Sequence, residues 1–143
     1  RHTRSRFVTG VQTCALPISG IDHFKSINDT WGHDVGDEAI IALTRQLQMT
    51  LRGSDVIGRF GGDEFAVIMC GTPADNAIAA MSRVHERLNA LRLPCAPQVI
   101  LRISVGVAPL TTQIEHYREW LKSADMALYK AKNAGRNRTE VAA

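Results

Sequence analysis

Apolar and polar positions along the 143-residue chain fall into short periodic blocks. Phe24, Ile27 and Trp31 recur at helical spacing, with Asp22 placed to cap the start and Gly32 to stop the helix. Ile40, Leu43, Leu47 and Leu51 form the stripe of a longer helix. Residues 56–60 and 64–70 read as two strands joined across Gly61-Gly62-Asp63, a hairpin signal. Residues 77–91 are again helical, and Val99, Leu101, Ile103, Val105 and Val107 alternate as one buried face of a strand. Leu121, Ala124, Leu128 and Ala131 give the stripe of a last helix that Gly135 ends. This order predicts an α+β fold: a ferredoxin-like βαββαβ palm whose antiparallel central sheet has helices packed around it.

The weak point is the first strand, which such a palm places centrally, at or before Ile21. Residues 9–13 are only weakly apolar, and Pro17 removes a ladder donor. The stretch VTGVQTCALPI at 8–18 also resembles the in-frame translation of a widely used sequencing adapter. The expectation is therefore a non-native segment over 1–18 and a domain over 19–143, with the first strand degraded or replaced and the native upstream sequence missing.

Composition supports one ordinary globular domain, with 45% hydrophobic and 22% charged residues. The apolar runs are too short for a membrane span and no signal peptide is evident, which gives a cytoplasmic expectation and no membrane contact by this segment. A longer parent could still be membrane-anchored through upstream domains. Cys14, Cys70 and Cys95 are odd in number and scattered, matching neither a disulfide framework nor a zinc site. The net charge of +3 comes from Arg1, Arg4 and Arg6; residues 19–143 balance 14 basic against 14 acidic residues. A neutral body argues against a nucleic-acid partner.

Arg59-Phe60-Gly61-Gly62-Asp63-Glu64-Phe65 carries the most chemistry. The glycines allow positive φ and let a ligand approach the backbone without a Cβ in the way. Asp63 and Glu64, consecutive in a starting strand, are expected to point to opposite faces, so that at most one faces a given metal. A tight hairpin with solvated acids is the plainer alternative.

GGDEF at 61–65 is the name motif of the GGDEF domains, the diguanylate cyclases, and three further blocks resemble that family in order and spacing. IDHFKSINDTWGHDVGD at 21–37 resembles its nucleotide segment, ISVGVA at 103–108 its later core strand, and ADMALYKAKNAGRNR at 124–138 its last helix and phosphate end. The resemblance implies condensation of two GTP into cyclic di-GMP with release of two pyrophosphates. It implies a homodimer with one GTP per subunit, and Mg²⁺ or Mn²⁺ as cofactor.

By the same resemblance, Asp63 is a metal ligand and Glu64 a second acid near the metal or the attacking hydroxyl. The Ile21 carbonyl helps hold the metal, and the backbone of Ile21, His23, Phe24 and Lys25 cradles the phosphates with Gly61 and Gly62. Asn28 and Asp37 correspond to guanine readers, and Lys132 and Arg136 to terminal phosphate contacts. Arg52 and Asp55 fall at the family's RxxD inhibitory site for cyclic di-GMP, with Arg83 a secondary contact. His23, His33 and His85 lack metal-ligand spacing and are expected to be structural. Trp31 is expected as core or pocket wall, and Trp120 and Tyr129 as helix packing. One departure stands out: the family reads Asp-x-Asp-x-Phe-Lys where this chain has Gly20-Ile21-Asp22-His23-Phe24-Lys25. The missing first acid predicts impaired cyclase activity. The alternative is a catalytically degenerate domain that binds GTP or cyclic di-GMP as a sensor.

Overall fold

The computed structural model describes residues 13–143. Arg1, Arg4, Arg6 and the weak stretch at 9–12 therefore lie outside the described residues, as do residues 8–12 of the adapter-like segment. Five strands form one sheet: β1 (Ala15–Ile21), β2 (Val56–Arg59), β3 (Glu64–Ile68), β4 (Ile103–Pro109) and β5 (Arg138–Val141), in the order β2-β3-β1-β4-β5. Four helices complete the described chain: α1 (Phe24–Trp31), α2 (His33–Thr50), α3 (Ala74–Ala90) and α4 (Tyr117–Asn133). None is long and apolar enough to cross a membrane. All strand pairs are antiparallel except β4 with β5.

The predicted palm is present, and its central strand is formed by residues 15–21, partly from residues expected to lie outside the domain. All seven residues of β1 are buried. Leu16 and Ile18 face one core, with Trp120, Ala124 and Leu128 of α4. Ala15 and Ile21 face the other, with Leu43, Leu47, Met81, Val84 and Leu88 of α2 and α3. Pro17 leaves the trace expected of a missing donor. Ala15 pairs with Met69 as an isolated bridge, and the continuous β1–β3 ladder resumes only at Ile18 with Ala66. Toward β4 the ladder runs unbroken from Ala15 to Ile21, because Pro17's nitrogen faces β3.

Three sequence expectations need correcting. β4 is buried on both faces rather than one, since it lies between β1 and β5 with helices on either side. Val99 and Leu101 are buried but precede the strand. Tyr129 is 66% exposed and Trp31 42% exposed, so neither is core, whereas Trp120 is buried and donates its indole N–H to the Ala108 carbonyl at 2.8 Å. β5 was not anticipated; only four residues long, it has too little period to read. Cys14 and Cys70, distant in sequence, meet across β1 and β3, where partial burial first and the Cys14 thiol second push the Cys70 pKa up.

Candidate nucleotide site

The sheet ends at the C-terminal edge of β1, where four segments meet. Gly20 pairs with Glu64, the first residue of β3. A Cβ at Gly20 would lie 3.4 Å from Glu64 Cγ, 3.6 Å from Asp63 Oδ2 and 3.9 Å from Glu64 Oε2. Both acids therefore lean toward position 20, correcting the expectation of opposite faces. Asp63 still belongs to the turn before β3, so strand alternation does not govern it. Lys132, at the end of α4, reaches one of these acids, with Nζ 3.4 Å from Glu64 Oε2.

The turn bearing Gly61 and Gly62 is held from behind. Arg59 donates through Nε to the Gly61 carbonyl at 3.1 Å and through Nη2 to the Gly62 carbonyl. Neither glycine has positive φ, and a Cβ at either would meet nothing within 4 Å. Backbone freedom is thus not the reason for these glycines. Open space in front of the turn remains, as an approaching ligand would need.

The β1–α1 turn differs from the sequence expectation. Asp22 does not cap α1; His23 occupies the N-cap position with a left-handed φ of 56°, and no side chain bonds the first-turn N–H groups. The helix start carries no acid in its first turn, so its N–H groups are free of competing side-chain acceptors. Asp22 turns inward and is buried, accepting from Ser104 Oγ at 2.5 Å and from the Asn137 N–H at 2.8 Å. Ile21 and Phe24 direct their side chains to the core, leaving only their backbone for a ligand, whereas His23 and Lys25 are exposed. The Arg136 N–H bonds the Ala131 carbonyl at 2.9 Å around Gly135, which has φ 122°, a helix end of the Schellman type. This places Arg136 one turn beyond Lys132, whose carbonyl it contacts at 3.5 Å.

Asn28 and Asp37 come together through Gly36. A Cβ at Gly36 would collide with the Asn28 side-chain amide, so the glycine lets that amide lie on the first turn of α2, next to exposed Asp37. This signal was present in the sequence as Gly-His-Asp-Val-Gly-Asp, but its use depends on how α1 crosses α2.

A second cavity, of about 170 Å³, lies at the other end of β3 and collects Arg52, Asp55 and Arg83, together with Thr72 and Asn76. The Asp55 side chain is fully buried, which separates it from an ordinary surface pair. Its Oδ2 accepts from the Arg52 N–H at 2.9 Å, while Oδ1 is buried without a hydrogen bond. Arg52 Nη2 is anchored on the Cys70 carbonyl at 2.7 Å and on Thr72 Oγ1 at 2.6 Å. Thr72 and Asn76 were not singled out in the sequence. Of the histidines, His23 and His33 are exposed, while His85 reaches Thr139 Oγ1 through Nε2 at 3.0 Å.

A divalent cation fits this site in part. Asp63 and Glu64 supply hard carboxylate oxygens converging on the space where Gly20 has no side chain. Among the described residues no group of three or more His, Cys, Asp or Glu could hold a metal. The donor set is thus one carboxylate poorer than an acid at position 20 would make it.

Known proteins match this arrangement. The chain is 84% identical over 128 residues to the probable diguanylate cyclase DgcC of Escherichia coli (strain K12), covering 90% of this chain and 34% of that protein. It is 35% identical over 135 residues to the diguanylate cyclase DosC of the same strain, covering 93% of this chain and 29% of that one. The chain therefore spans about a third of the length of these curated relatives. Among solved structures, the active GGEEF domain of a diguanylate cyclase from Vibrio cholerae superposes with a TM-score of 0.88 at 28% identity, covering 99% of this chain and 89% of that one. The GGDEF domain of DgcB from Caulobacter crescentus, in complex with c-di-GMP, gives 0.87 at 28% identity, covering 98% and 84%. The sequence profile described as "Diguanylate cyclase, GGDEF domain" matches residues 5–138. With four sequence blocks, one palm and a family profile spanning nearly the whole chain in agreement, the protein belongs to the diguanylate cyclase GGDEF-domain family.

Proposed function

We propose that this domain condenses two GTP into cyclic di-GMP and two pyrophosphates as a homodimer, and that Gly20 impairs the reaction in the chain as written. The reading rests chiefly on one observation: position 20 faces Asp63 and Glu64 beside an uncapped helix start. The α1 N–H groups and the open Gly61-Gly62 turn receive the phosphates, with Lys132 and Arg136 at their far end. Asn28 and Asp37 read the guanine: a carboxylate accepts from N1–H and the 2-amino group, and an amide meets O6 and N7. Each 3′-oxygen, on losing its proton, bonds to the α-phosphorus of the facing nucleotide as pyrophosphate leaves.

Asp63, Glu64 and the Ile21 carbonyl would hold Mg²⁺ or Mn²⁺, which when bound neutralises phosphate charge and acidifies the attacking hydroxyl. Glu64 would lie near the cation and the attacking group, with its charge offset by Lys132. The Arg52–Asp55–Arg83 cavity takes cyclic di-GMP as a feedback ligand, with the Asp55 carboxylate, whose Oδ1 lies 3.6 Å from Arg52 Nη2, as the acceptor for a guanine N–H.

The test compares this chain with Gly20→Asp, measuring cyclic di-GMP formed from GTP and Mg²⁺ and, separately, Mn²⁺ affinity. Restoring a carboxylate should raise turnover by about 10–100-fold or more and tighten Mn²⁺. Equal turnover and equal Mn²⁺ affinity would refute the impairment. A second reading, a sensor without turnover, is favoured by the same glycine together with the intact Asp55 cavity. Cyclic di-GMP binding with no product from either chain would establish it.

A further inference from the structure

Asp22 does not cap a helix, and its surroundings are unusual. It is buried, and both carboxylate oxygens are used: one accepts from Ser104 on β4, the other from the Asn137 N–H just before β5. Its own N–H donates to the Arg102 carbonyl at 2.8 Å. Among the described residues, the non-glycine positions with positive φ are His23, Arg136 and Asn137. All three adjoin this carboxylate: His23 follows Asp22, Asn137 donates to it, and Arg136 precedes Asn137. Left-handed backbone is disfavoured for residues with a Cβ and persists where surrounding contacts over-determine it.

We infer that Asp22 is a positioning residue that clamps the β1–α1 turn to the α4–β5 turn, holding both phosphate-facing turns of the site in their left-handed shapes. This deepens the nucleotide-site reading and rests on it. By turning away from α1, the carboxylate leaves the first-turn N–H groups open to an anion. By taking the Asn137 N–H, it fixes the chain just after Arg136, and so sets where that guanidinium and Lys132 stand relative to the helix start. With both oxygens bonded and buried, Asp22 acts through the turns and not by touching the ligand. From the other side, His85 of α3 holds β5 through Thr139, two residues beyond Asn137.

The test needs no turnover. Inorganic tripolyphosphate and GTP, each with Mg²⁺, are titrated by calorimetry into the whole chain, Asp22→Ala and Asp22→Asn, with cyclic di-GMP as a probe of the distant cavity. Asp22→Ala should lose affinity for tripolyphosphate and GTP by about 10-fold or more while keeping that for cyclic di-GMP. Asp22→Asn should recover most of the loss, because its carbonyl accepts the Asn137 N–H while the Ser104 hydroxyl turns to accept from the amide. Asp22→Ala binding as tightly as the parent overturns the proposal, and so does Asp22→Asn binding as weakly as Asp22→Ala. If Asp22→Ala fails to fold, hydrogen exchange at the Asn137 amide decides. It should be protected in the parent and Asp22→Asn alike, and an unprotected amide in the parent overturns the clamp. A parent that binds cyclic di-GMP but neither GTP nor tripolyphosphate defeats the nucleotide-site reading itself, and this inference with it.

Discussion

Gly106 and Gly36 each stand where a methyl group would collide, and the two collisions differ in kind. A Cβ at Gly106 would lie 2.2 Å from the Leu128 nitrogen and 2.3 Å from the Ala124 carbonyl oxygen, so the obstacle is the backbone of α4. At Gly36 it is the far end of the Asn28 side chain, which can swing aside. Gly106→Ala should therefore cost about 1–3 kcal/mol or more of stability by forcing α4 off β4. Gly36→Ala should leave stability within about 0.5 kcal/mol while displacing the Asn28 amide, the proposed guanine reader, and weakening GTP binding. Urea unfolding of both variants and GTP calorimetry of the second check this pair. A Gly106→Ala variant as stable as the parent, or a Gly36→Ala variant that binds GTP normally, would contradict it. The motif spelling gave Gly36 a place in a nucleotide segment, but nothing in the sequence separates a glycine facing a helix backbone from one facing a flexible amide.

At the scale of elements, β1 forms despite Pro17 because burial on both faces outweighs one missing donor. Fully burying Leu16 and Ile18 contributes about 1.5–3 kcal/mol each, whereas one hydrogen bond nets about 0.5–1.5. Pro17→Val should restore the donor opposite β3 and raise stability by about 0.5–1.5 kcal/mol, read from the urea midpoint; an unchanged or lower midpoint would contradict the reading. α3 carries a pH dependence. Burial pushes the His85 pKa below its ordinary 6.5, and the nearby Asp22 carboxylate opposes this less strongly. Below that ordinary value the unfolded chain binds more protons than the folded one, so this contribution is full above pH 6.5 and is lost as pH falls toward the lowered native pKa. His85→Gln, which can still bond Thr139, should flatten that part of the stability profile between about pH 5 and 7. Parallel profiles for parent and variant would exclude His85 as the source. β5 escaped the sequence reading because it is short and half-exposed, and because its pairing is parallel to β4, a partner far away in sequence.

Across the whole molecule, the sheet separates the two candidate ligand sites. The proposed nucleotide site gathers at the Gly20–Glu64 end of β1 and β3, and the Arg52–Asp55–Arg83 cavity lies near Met69 and Gly71, beyond the opposite end of β3. Asp55→Ala should accordingly abolish measurable cyclic di-GMP binding while changing GTP affinity less than about twofold. Parallel calorimetry with the two ligands checks this, and loss of both would show that the ends are not independent. Much of this was legible in the chain alone. Helical and strand periods gave the palm, since 3.6- and 2-residue repeats are imposed by local backbone geometry, and four motif blocks gave the family. Tertiary structure decided what depends on distant partners. It brought Asp63 and Glu64 to one side, because Asp63 belongs to a turn and not to the strand. It drew Asp22 away from the helix cap toward Ser104 and Asn137, and it gave a glycine at position 20 its meaning by setting both acids around it. Local rules fix period and turn chemistry, but a side chain's partners follow from which strands pair and which helices pack, and that is settled only when the whole sheet closes around β1.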